Sequence, residues 1–214
     1  DVVVMNIHAA AGGQVLPRRG LETGVVRKHL RALAQRIHQS RAQVALLQEV
    51  DFGAPRTGGV EEAETLARLL HWPAIARGIN LDTTGARPAH PLLRDLRYGL
   101  ATVSRFPLED VANLPLSAAS EATGERRSVL RTTIKVGEKT LTLLNTHLTN
   151  GSPEERQAQV KALLGHMPPG APVLLGGDFN CDPRDGQDTL RPLLQRLRLP
   201  YTPPPPTFPA HEPQ

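Results

Sequence analysis

A short apolar run that ends in an acid and an amide is the clearest chemical feature of this 214-residue sequence. Residues 173–175 are Val-Leu-Leu, two glycines follow, and Asp178 and Asn180 come next. The run predicts a buried strand, and the glycines predict a sharp turn that leaves both polar side chains at the strand's carboxyl end. A carboxylate and an amide at such an end, where ligands commonly bind, suit metal or phosphate chemistry. An ordinary polar turn is the alternative interpretation.

Three further polar side chains also follow apolar runs: Asn6, Glu49 and His147. Each has a simpler explanation by itself, such as a surface acid at a strand end or a histidine at a sheet edge. Because all of them follow predicted strands, their strand ends can meet at one rim of a sheet sandwich. Two carboxylates, two amides and one imidazole make an oxygen-rich site, which suits Mg²⁺ or Mn²⁺ better than zinc.

The elements that must position these side chains are a mixture of strands and helices. Predicted strands cover residues 1–7, 44–47, 98–103, 129–136, 139–144 and 173–175. Predicted helices cover residues 21–40 and 60–70, a segment that begins after Ser152, and residues 189–197. A two-residue turn at 137–138 predicts an antiparallel hairpin, residues 79–96 predict a long surface loop, and residues 203–206 predict rigid polyproline. The mixture predicts an α/β or α+β fold with packed sheets and helices outside.

Composition narrows the class of protein further. The length suits one large domain better than two small ones, and 20 Pro with 18 Gly predict many loops. A single cysteine, Cys181, excludes an internal disulfide framework and a multi-cysteine zinc cluster. No apolar run reaches the length of a membrane span. No signal peptide can be recognised at the start, so a soluble protein is expected and its compartment, cytoplasmic or exported, stays open.

The charge balance permits an anionic partner. The chain has 25 basic and 21 acidic residues, a net charge of +4 and a pI of about 9.7. The predicted helix at 21–40 has Arg27, Lys28, Arg31 and Arg36 away from its apolar face, with Arg41 just beyond it. This face is either solvated surface or a contact for phosphate groups. With only 3% aromatic residues, little is available for stacking on single-stranded bases.

Five segments in a fixed order carry a resemblance to a known family. They are MNIH (5–8), LLQEVD (46–51), YGLATVSRFP (98–107), NTHL (145–148) and GGDFN (176–180). This set resembles the endonuclease/exonuclease/phosphatase superfamily, which includes DNase I-like nucleases, abasic-site endonucleases, sphingomyelinases and inositol-phosphate 5-phosphatases. The resemblance extends from about residue 2 to residue 209. It implies a DNase I-like four-layer sandwich of two mixed sheets with outer helices, and Mg²⁺-dependent hydrolysis of phosphodiesters or phosphomonoesters.

The resemblance also implies a metal site. Glu49 resembles the main metal-binding carboxylate, and Asn6 resembles a residue that helps to hold the metal-site network. The implied cofactor is Mg²⁺, or Mn²⁺ in its place.

Four side chains are implied to act on the phosphate and the attacking water. Asp178 resembles the residue that orients or deprotonates the water, and Asn180 resembles one that grips the phosphate. His147 resembles the histidine that bonds a phosphate oxygen or assists the leaving group. Arg127, in ERRSVL (125–130), resembles a phosphate contact.

Two departures from the family pattern affect these expectations. Leu100 stands where the family often has Asn, so a hydrogen bond to substrate is expected to be missing there. The family also ends on a strand with an Asp and then Ser-Asp-His, yet no Asp-His dipeptide occurs in this sequence, and the neighbours of His211 do not match. We therefore expect 1–214 to be a single domain truncated at its C-terminus, without two strands of one sheet and with weak or no catalysis.

Other interpretations stay open at this point. The chain could be a catalytically impaired or non-catalytic member that binds phosphate-bearing ligands, or binds a partner chain that completes the sheet. An unrelated α/β domain is the third possibility. Nucleic acid, a phospholipid headgroup and an inositol phosphate are all compatible substrates.

Overall fold

The computed structural model describes residues 1–12, 15–118, 120, 124–181 and 186–199. The predicted polyproline segment at 203–206 and His211 lie outside the described residues. No helix in the described part of the chain is both long and apolar enough to cross a membrane.

Within the residues that the structure describes, eight strands form two mixed four-stranded sheets. The first sheet contains β1 (Val2–Asn6), β2 (Val44–Asp51), β3 (Ala74–Asp82) and β4 (Arg97–Ser104), in the order β1-β2-β4-β3. The second contains β5 (Glu109–Pro115), β6 (Ser128–Val136), β7 (Lys139–His147) and β8 (Val173–Asp178), in chain order. The pairs β1–β2 and β7–β8 are parallel, and all other pairs are antiparallel. The hairpin predicted at 137–138 joins β6 to β7, as expected.

In the described part of the chain, four α-helices cover the outer faces of the two sheets. They are α1 (Thr23–Gln39) and α2 (Glu62–Leu70) on the first sheet, and α3 (Pro153–His166) and α4 (Gly186–Leu197) on the second. The buried side chains of α1 recur every three or four residues, at Val26, Leu30, Ala34 and Ile37, which gives the helix one apolar face. The α/β four-layer sandwich predicted from the sequence is therefore confirmed.

Strand β2 shows why the core strands could be recognised from their sequence. Ala45 and Leu47 pack toward the helices, whereas Val44 and Leu46 pack against the other sheet. Because β2 is buried on both faces, it is apolar at successive positions and does not alternate with polar residues. Full burial of each leucine contributes roughly 1.5–3 kcal/mol.

Two strands, β3 and β5, were not predicted. The loop predicted at 79–96 is wrong over its first four residues, which belong to β3. Strand β3 buries Ala76, Gly78 and Asn80, which are small or polar, so the strand lacks an apolar repeat. A Cβ on Gly99 of β4 would overlap the carbonyl oxygen of Gly78, so these two strands approach closely there. Strand β5 is a largely exposed edge strand, and its sequence, EDVANLP, has no regular apolar repeat either.

Candidate active site

The two parallel strand pairs place their carboxyl ends at one end of the sandwich. In β1–β2, Asn6 lies opposite Gln48, and in β7–β8, His147 lies opposite Asp178. Strands β1 and β8 also pack against each other between the sheets. The polar side chains that follow four different strands therefore meet at one rim, as their positions in the sequence predicted.

Asn6 joins the two carboxylates of this rim. Its Nδ2 donates to Oε1 of Glu49 at 2.8 Å and to Oδ2 of Asp178 at 3.0 Å. Its Oδ1 accepts a hydrogen bond from the backbone N–H of His8 at 3.0 Å. Because a backbone N–H can only donate, this contact fixes which end of the amide faces the carboxylates. One amide thus holds two acids that come from different sheets.

A β-bulge turns Glu49 toward the rim. The pairing of β2 with β4 shifts register between Leu47 and Val50, and Glu49 has a left-handed φ of 55°. Its neighbours Gln48 and Val50 are buried, whereas Glu49 is half-buried. A left-handed conformation costs a non-glycine residue on the order of 1–2 kcal/mol. No turn residue in the sequence signals this bulge.

Buried amides beneath the rim hold the backbone at the bulge. Nδ2 of Asn145, on β7, donates to the carbonyl oxygens of Leu47 and Ala101, each at 3.0 Å. Nε2 of Gln48 donates to Oδ1 of Asn145 at 2.7 Å. Both amide residues are essentially fully buried. Both residues lie in the motifs that carry the family resemblance, but no local pattern predicts that they connect the two sheets.

His147 and Asn180 form the second part of the rim. Nδ2 of Asn180 donates to the carbonyl oxygen of Leu148 at 2.9 Å and lies 3.0 Å from Nε2 of His147. Since the carbonyl fixes Nδ2 as the donor, Nε2 of His147 accepts in this arrangement. Burial, followed by the charge of Arg127, lowers the pKa of His147, while Asp178 and Glu49 oppose this shift. His147 is therefore a neutral imidazole near pH 7.

Asp178 is held by the chain that follows it. The backbone N–H of Asn180 donates to Oδ1 of Asp178 at 3.0 Å, and Asn180 has a left-handed φ of 48°. Oδ2 of Asp178 receives the bond from Asn6 and lies 3.8 Å from Nε2 of His147. Both oxygens of this carboxylate are thus oriented, while about 30% of the side chain stays accessible to solvent.

Arg127 lies close enough to the rim for its charge to lower the pKa of His147. Nη1 of Arg127 is 3.2 Å from Oε1 of Glu125. Burial raises the pKa of Glu125, an effect that Arg127 opposes and Glu49 strengthens. Burial also raises the pKa of Tyr98 well above its usual value, and the charges of Glu49 and Glu125 add to the shift. Glu125 and Tyr98 were not predicted as site residues, although both lie in quoted segments.

The glycines before Asp178 act differently from the prediction. They lie inside β8, and neither has a positive φ, so the predicted sharp turn is wrong. A Cβ on Gly176 would lie 2.6 Å from Cγ2 of Val4, and a Cβ on Gly177 would overlap the carbonyl oxygen of Thr146. The glycines therefore allow β8 to approach β1 and β7 closely, which brings the strand ends together.

Leu100, which replaces a polar residue of the family pattern, is fully buried. It packs with Ala76 and Leu130 between the sheets. In this conformation its side chain has no access to a substrate.

The donor set fits Mg²⁺ better than a metal that needs a complete protein cage. Within the described ranges, no three His, Cys, Asp or Glu side chains form a group that could hold a metal ion. Mg²⁺ is commonly held by one or two carboxylates together with water and substrate phosphate. Glu49 and Asp178 can supply those carboxylates, while the oxygen of Asn6 is occupied by His8. The metal roles of Glu49 and Asn6 stay predictions.

The fold and the rim together define a class of protein: two packed mixed sheets with outer helices and an acid–amide–histidine site at the strand ends. A model of the Endonuclease/Exonuclease/phosphatase family matches residues 25–214. The chain belongs to this family, as the five ordered motifs predicted. No curated protein matches the chain.

Several solved structures share the fold. An endonuclease/exonuclease/phosphatase from Beutenbergia cavernae DSM 12333 is 24% identical with a TM-score of 0.64, over 84% of this chain and 47% of that one. A family protein from Leptotrichia buccalis C-1013-b is 15% identical with a TM-score of 0.63, over 91% and 73%. D. rerio TDP2 complexed with single strand DNA product is 15% identical with a TM-score of 0.55, over 88% and 63%. The chain spans about half the length of the Beutenbergia protein, and at these identities the likeness shows the fold alone.

Proposed function

We propose that this protein is a Mg²⁺-dependent phosphoesterase that hydrolyses phosphodiester bonds. The observation that carries the proposal is the Asn6 amide, which holds Glu49 and Asp178 together from two different sheets. Membership of the Endonuclease/Exonuclease/phosphatase family supports the phosphoesterase kind of function.

Phosphodiester hydrolysis requires a positioned water and compensation of negative charge on the phosphoryl oxygens. Asp178 would orient or deprotonate the water, since the Asn180 N–H and Asn6 fix its two oxygens. Glu49 would hold the Mg²⁺ ion, with Asn6 orienting its carboxylate. The bound ion supplies Lewis-acid stabilisation of the phosphoryl oxygens.

The remaining rim residues would grip the phosphate. Asn180 and His147 lie side by side next to Asp178, and Arg127 is the nearby cation. On phosphate binding, Arg127 would give up part of its contact with Glu125 and bond the phosphate instead. Charge-assisted hydrogen bonds from a guanidinium to phosphate are strong and directional.

We propose nucleic acid as the first substrate class to test. The pI of about 9.7 suits a polyanion, and a structure with the same fold, D. rerio TDP2, is complexed with single strand DNA product. A phospholipid headgroup and an inositol phosphate contain the same ester chemistry, so they belong in the same assay.

The test is cleavage of plasmid DNA, a single-stranded oligonucleotide, sphingomyelin and an inositol phosphate, each with Mg²⁺, with Mn²⁺ and with EDTA. We expect cleavage of a nucleic acid with Mg²⁺ and none with EDTA. Cleavage that persists in EDTA would contradict the metal dependence. Cleavage of a lipid or inositol phosphate alone would contradict the nucleic-acid substrate.

Metal binding can be tested without any substrate. We expect calorimetric titration with Mn²⁺ to show binding that the Glu49→Gln variant weakens by about tenfold or more. Glu138→Gln is the matched control, because Glu138 is exposed in the β6–β7 turn, at the opposite end of β7 from His147. Equal weakening in both variants would remove Glu49 from the metal site.

A non-catalytic member that binds phosphate esters is the second candidate. In such a protein Asn180, His147 and Arg127 would bind the phosphate without cleavage of the ester. Binding of the oligonucleotide without cleavage, in the presence of Mg²⁺, would select this second function.

A further inference from the structure

A row of basic side chains lines the groove between α1 and α2, on the outer surface of the first sheet. The two helices run in the same direction, since Thr23 at the start of α1 bonds the carbonyl oxygen of Gly58, just before α2, at 2.9 Å. Arg27 and Arg31 of α1 and Arg68 of α2 surround a cavity of about 200 Å³ in this groove. All three arginines are exposed.

A second and larger cavity lies where both helices end. It has a volume of about 570 Å³, and four exposed basic residues from separate segments line it: His38, Arg41, His71 and Arg105. Arg41 precedes β2, whereas Glu49 lies near the other end of that strand. The part of β2 that lies between them spans roughly 17 Å along the strand axis. The larger cavity is therefore distant from the Asn6 rim. The two cavities together are here called the basic groove.

The basic groove has no acidic partners in the described part of the chain. None of its five arginines or two histidines forms an ion pair with a carboxylate there, and the 17 residues of α1 include no Asp or Glu. Solvated helix surfaces usually intersperse charges of both signs. Cations near helix C-termini, such as His38 and His71, also complement the helix dipole. That explanation fails for Arg27, which lies in the first half of α1.

The spacing of the cations favours an extended anion over a compact one. At 100° per residue, Arg27, Arg31 and His38 lie within about 40° of one another around α1, on the side that faces α2. From Arg27 to His38 the helix rises about 16 Å, which corresponds to roughly five successive phosphates of one strand of a duplex. A compact anion would occupy only one cavity.

We propose that the basic groove binds the sugar–phosphate backbone of a nucleic acid, as a contact surface separate from the Asn6 rim. The proposal goes beyond the proposed hydrolysis, because binding at this groove requires neither a metal nor a working active site. Contacts to phosphate alone would make the binding independent of base sequence and sensitive to salt.

The first test is fluorescence anisotropy of a labelled 20-nucleotide DNA in EDTA, so that cleavage does not interfere. We expect Arg31→Glu and Arg68→Glu each to weaken binding by about three- to tenfold, and to lower the slope of log affinity against log salt by about one. Arg36→Glu is the matched control. It makes the same charge change on the same helix, about 140° around the axis from Arg31, and we expect less than a twofold effect. Equal losses in Arg31→Glu and Arg36→Glu would overturn the proposal.

The second test uses Trp72, the only tryptophan of the chain, which lines the larger cavity. We expect the DNA to change the emission of Trp72, and Arg31→Glu to weaken that response. If pyrophosphate binds as tightly as DNA, and Arg31→Glu does not weaken its binding, the groove is a site for a compact anion and the proposal is overturned. A response to phosphatidylserine vesicles but not to DNA would also overturn it.

Binding in EDTA and cleavage in Mg²⁺, measured on the wild type with the same DNA, separate this proposal from the proposed function. If the wild type binds DNA through the groove but cleaves nothing, the proposed hydrolysis fails and the groove proposal stands.

Discussion

A single amide determines the charge arrangement of the rim. Both hydrogens of the Asn6 amide nitrogen are used, one for Glu49 and one for Asp178. An acid at this position would place a third carboxylate beside two others, which would repel it. An apolar residue would leave both carboxylates without the donor that aligns them. The asparagine therefore holds the two acids side by side through a hydrogen-bond donor that both share.

At the residue scale, Asp178→Ala is expected to lower turnover by about 10²–10³-fold, because it removes one oriented group from the reaction centre. Stability should change little, since the side chain is partly exposed at the rim. Turnover is measured on the best substrate of the panel, and thermal unfolding checks the fold. Full activity in Asp178→Ala, with Glu138→Gln as the control, would exclude the assigned role.

At the element scale, the close approach of β7 and β8 depends on Gly177. In Gly177→Ala the added methyl group would overlap the carbonyl oxygen of Thr146, so the two strands must separate. We expect a loss of about 1–3 kcal/mol in the free energy of unfolding by urea. Gly165→Ala is the control. Gly165 lies within α3 with no atom near an added Cβ, and alanine there should stabilise the helix by roughly 0.5–1 kcal/mol. A Gly177→Ala variant as stable as the wild type would contradict this account.

A buried polar network fixes the end of β2 just beyond Glu49. Arg56 donates two hydrogen bonds to Asp51, at 2.7 and 2.8 Å, and Thr57 donates a third at 3.1 Å. Oε2 of Glu62 accepts the backbone N–H of Asp51 at 2.8 Å, whereas Oε1 of Glu62 has no hydrogen-bond partner among the described atoms. Because these contacts hold the chain two residues after Glu49, they limit how far the bulge can move.

This network predicts a pH dependence of stability. Burial, followed by the charge of Asp51, raises the pKa of Glu62 well above its usual value, while the Asp51 N–H and Arg56 oppose the shift. The folded-state pKa exceeds the unfolded one, so the stabilising contribution is complete below the unfolded pKa. It is lost as the pH rises through the folded value.

In Glu62→Gln the neutral amide keeps the acceptor for Asp51 and removes the titrating group. We expect the free energy of unfolding to fall less between pH 5 and pH 8 in this variant than in the wild type. Glu62→Ala leaves the N–H of Asp51 unpaired and should lose about 1–3 kcal/mol at both pH values. Identical pH profiles for the wild type and Glu62→Gln would show that Glu62 does not titrate in this range.

At the scale of the whole molecule, Asn145 connects the two sheets. Its amide bonds backbone carbonyls of β2 and β4 from a position on β7, in the buried layer beneath the rim. Apolar contacts between the sheets give stability without direction, whereas these hydrogen bonds require one relative position of the sheets. The alignment of Asn6 and Glu49 with Asp178 and His147 depends on that position.

We expect Asn145→Ala to lower the free energy of unfolding by about 2–4 kcal/mol, because two buried carbonyls lose a donor and the Gln48 amide keeps only its bond to the carbonyl oxygen of Leu46. Asn113→Ala is the control, since Asn113 is exposed and bonds a single carbonyl oxygen, that of Ile79 at 2.9 Å. Urea unfolding monitored by circular dichroism measures both. Equal losses in the two variants would show that the link between the sheets contributes no special stability.

The sequence by itself determined the elements whose burial leaves an apolar signature. It located the core strands and α1, and the polar residues that follow them predicted which side chains gather at the rim. The ordered motifs were sufficient to recognise the family. It failed for β3 and β5, since a strand that buries Gly78 and Asn80, or one that lies exposed at an edge, has no apolar repeat to detect.

Only the tertiary structure decided how the rim residues act on one another. Asn6 and Asp178 are 172 residues apart in the chain, so no local pattern specifies their hydrogen bond. The left-handed conformation of Glu49 and the close packing that requires Gly177 likewise depend on neighbours that packing supplies. Local sequence specifies which residues prefer to be buried or to end a strand, whereas directional contacts exist only once distant strands have packed into register.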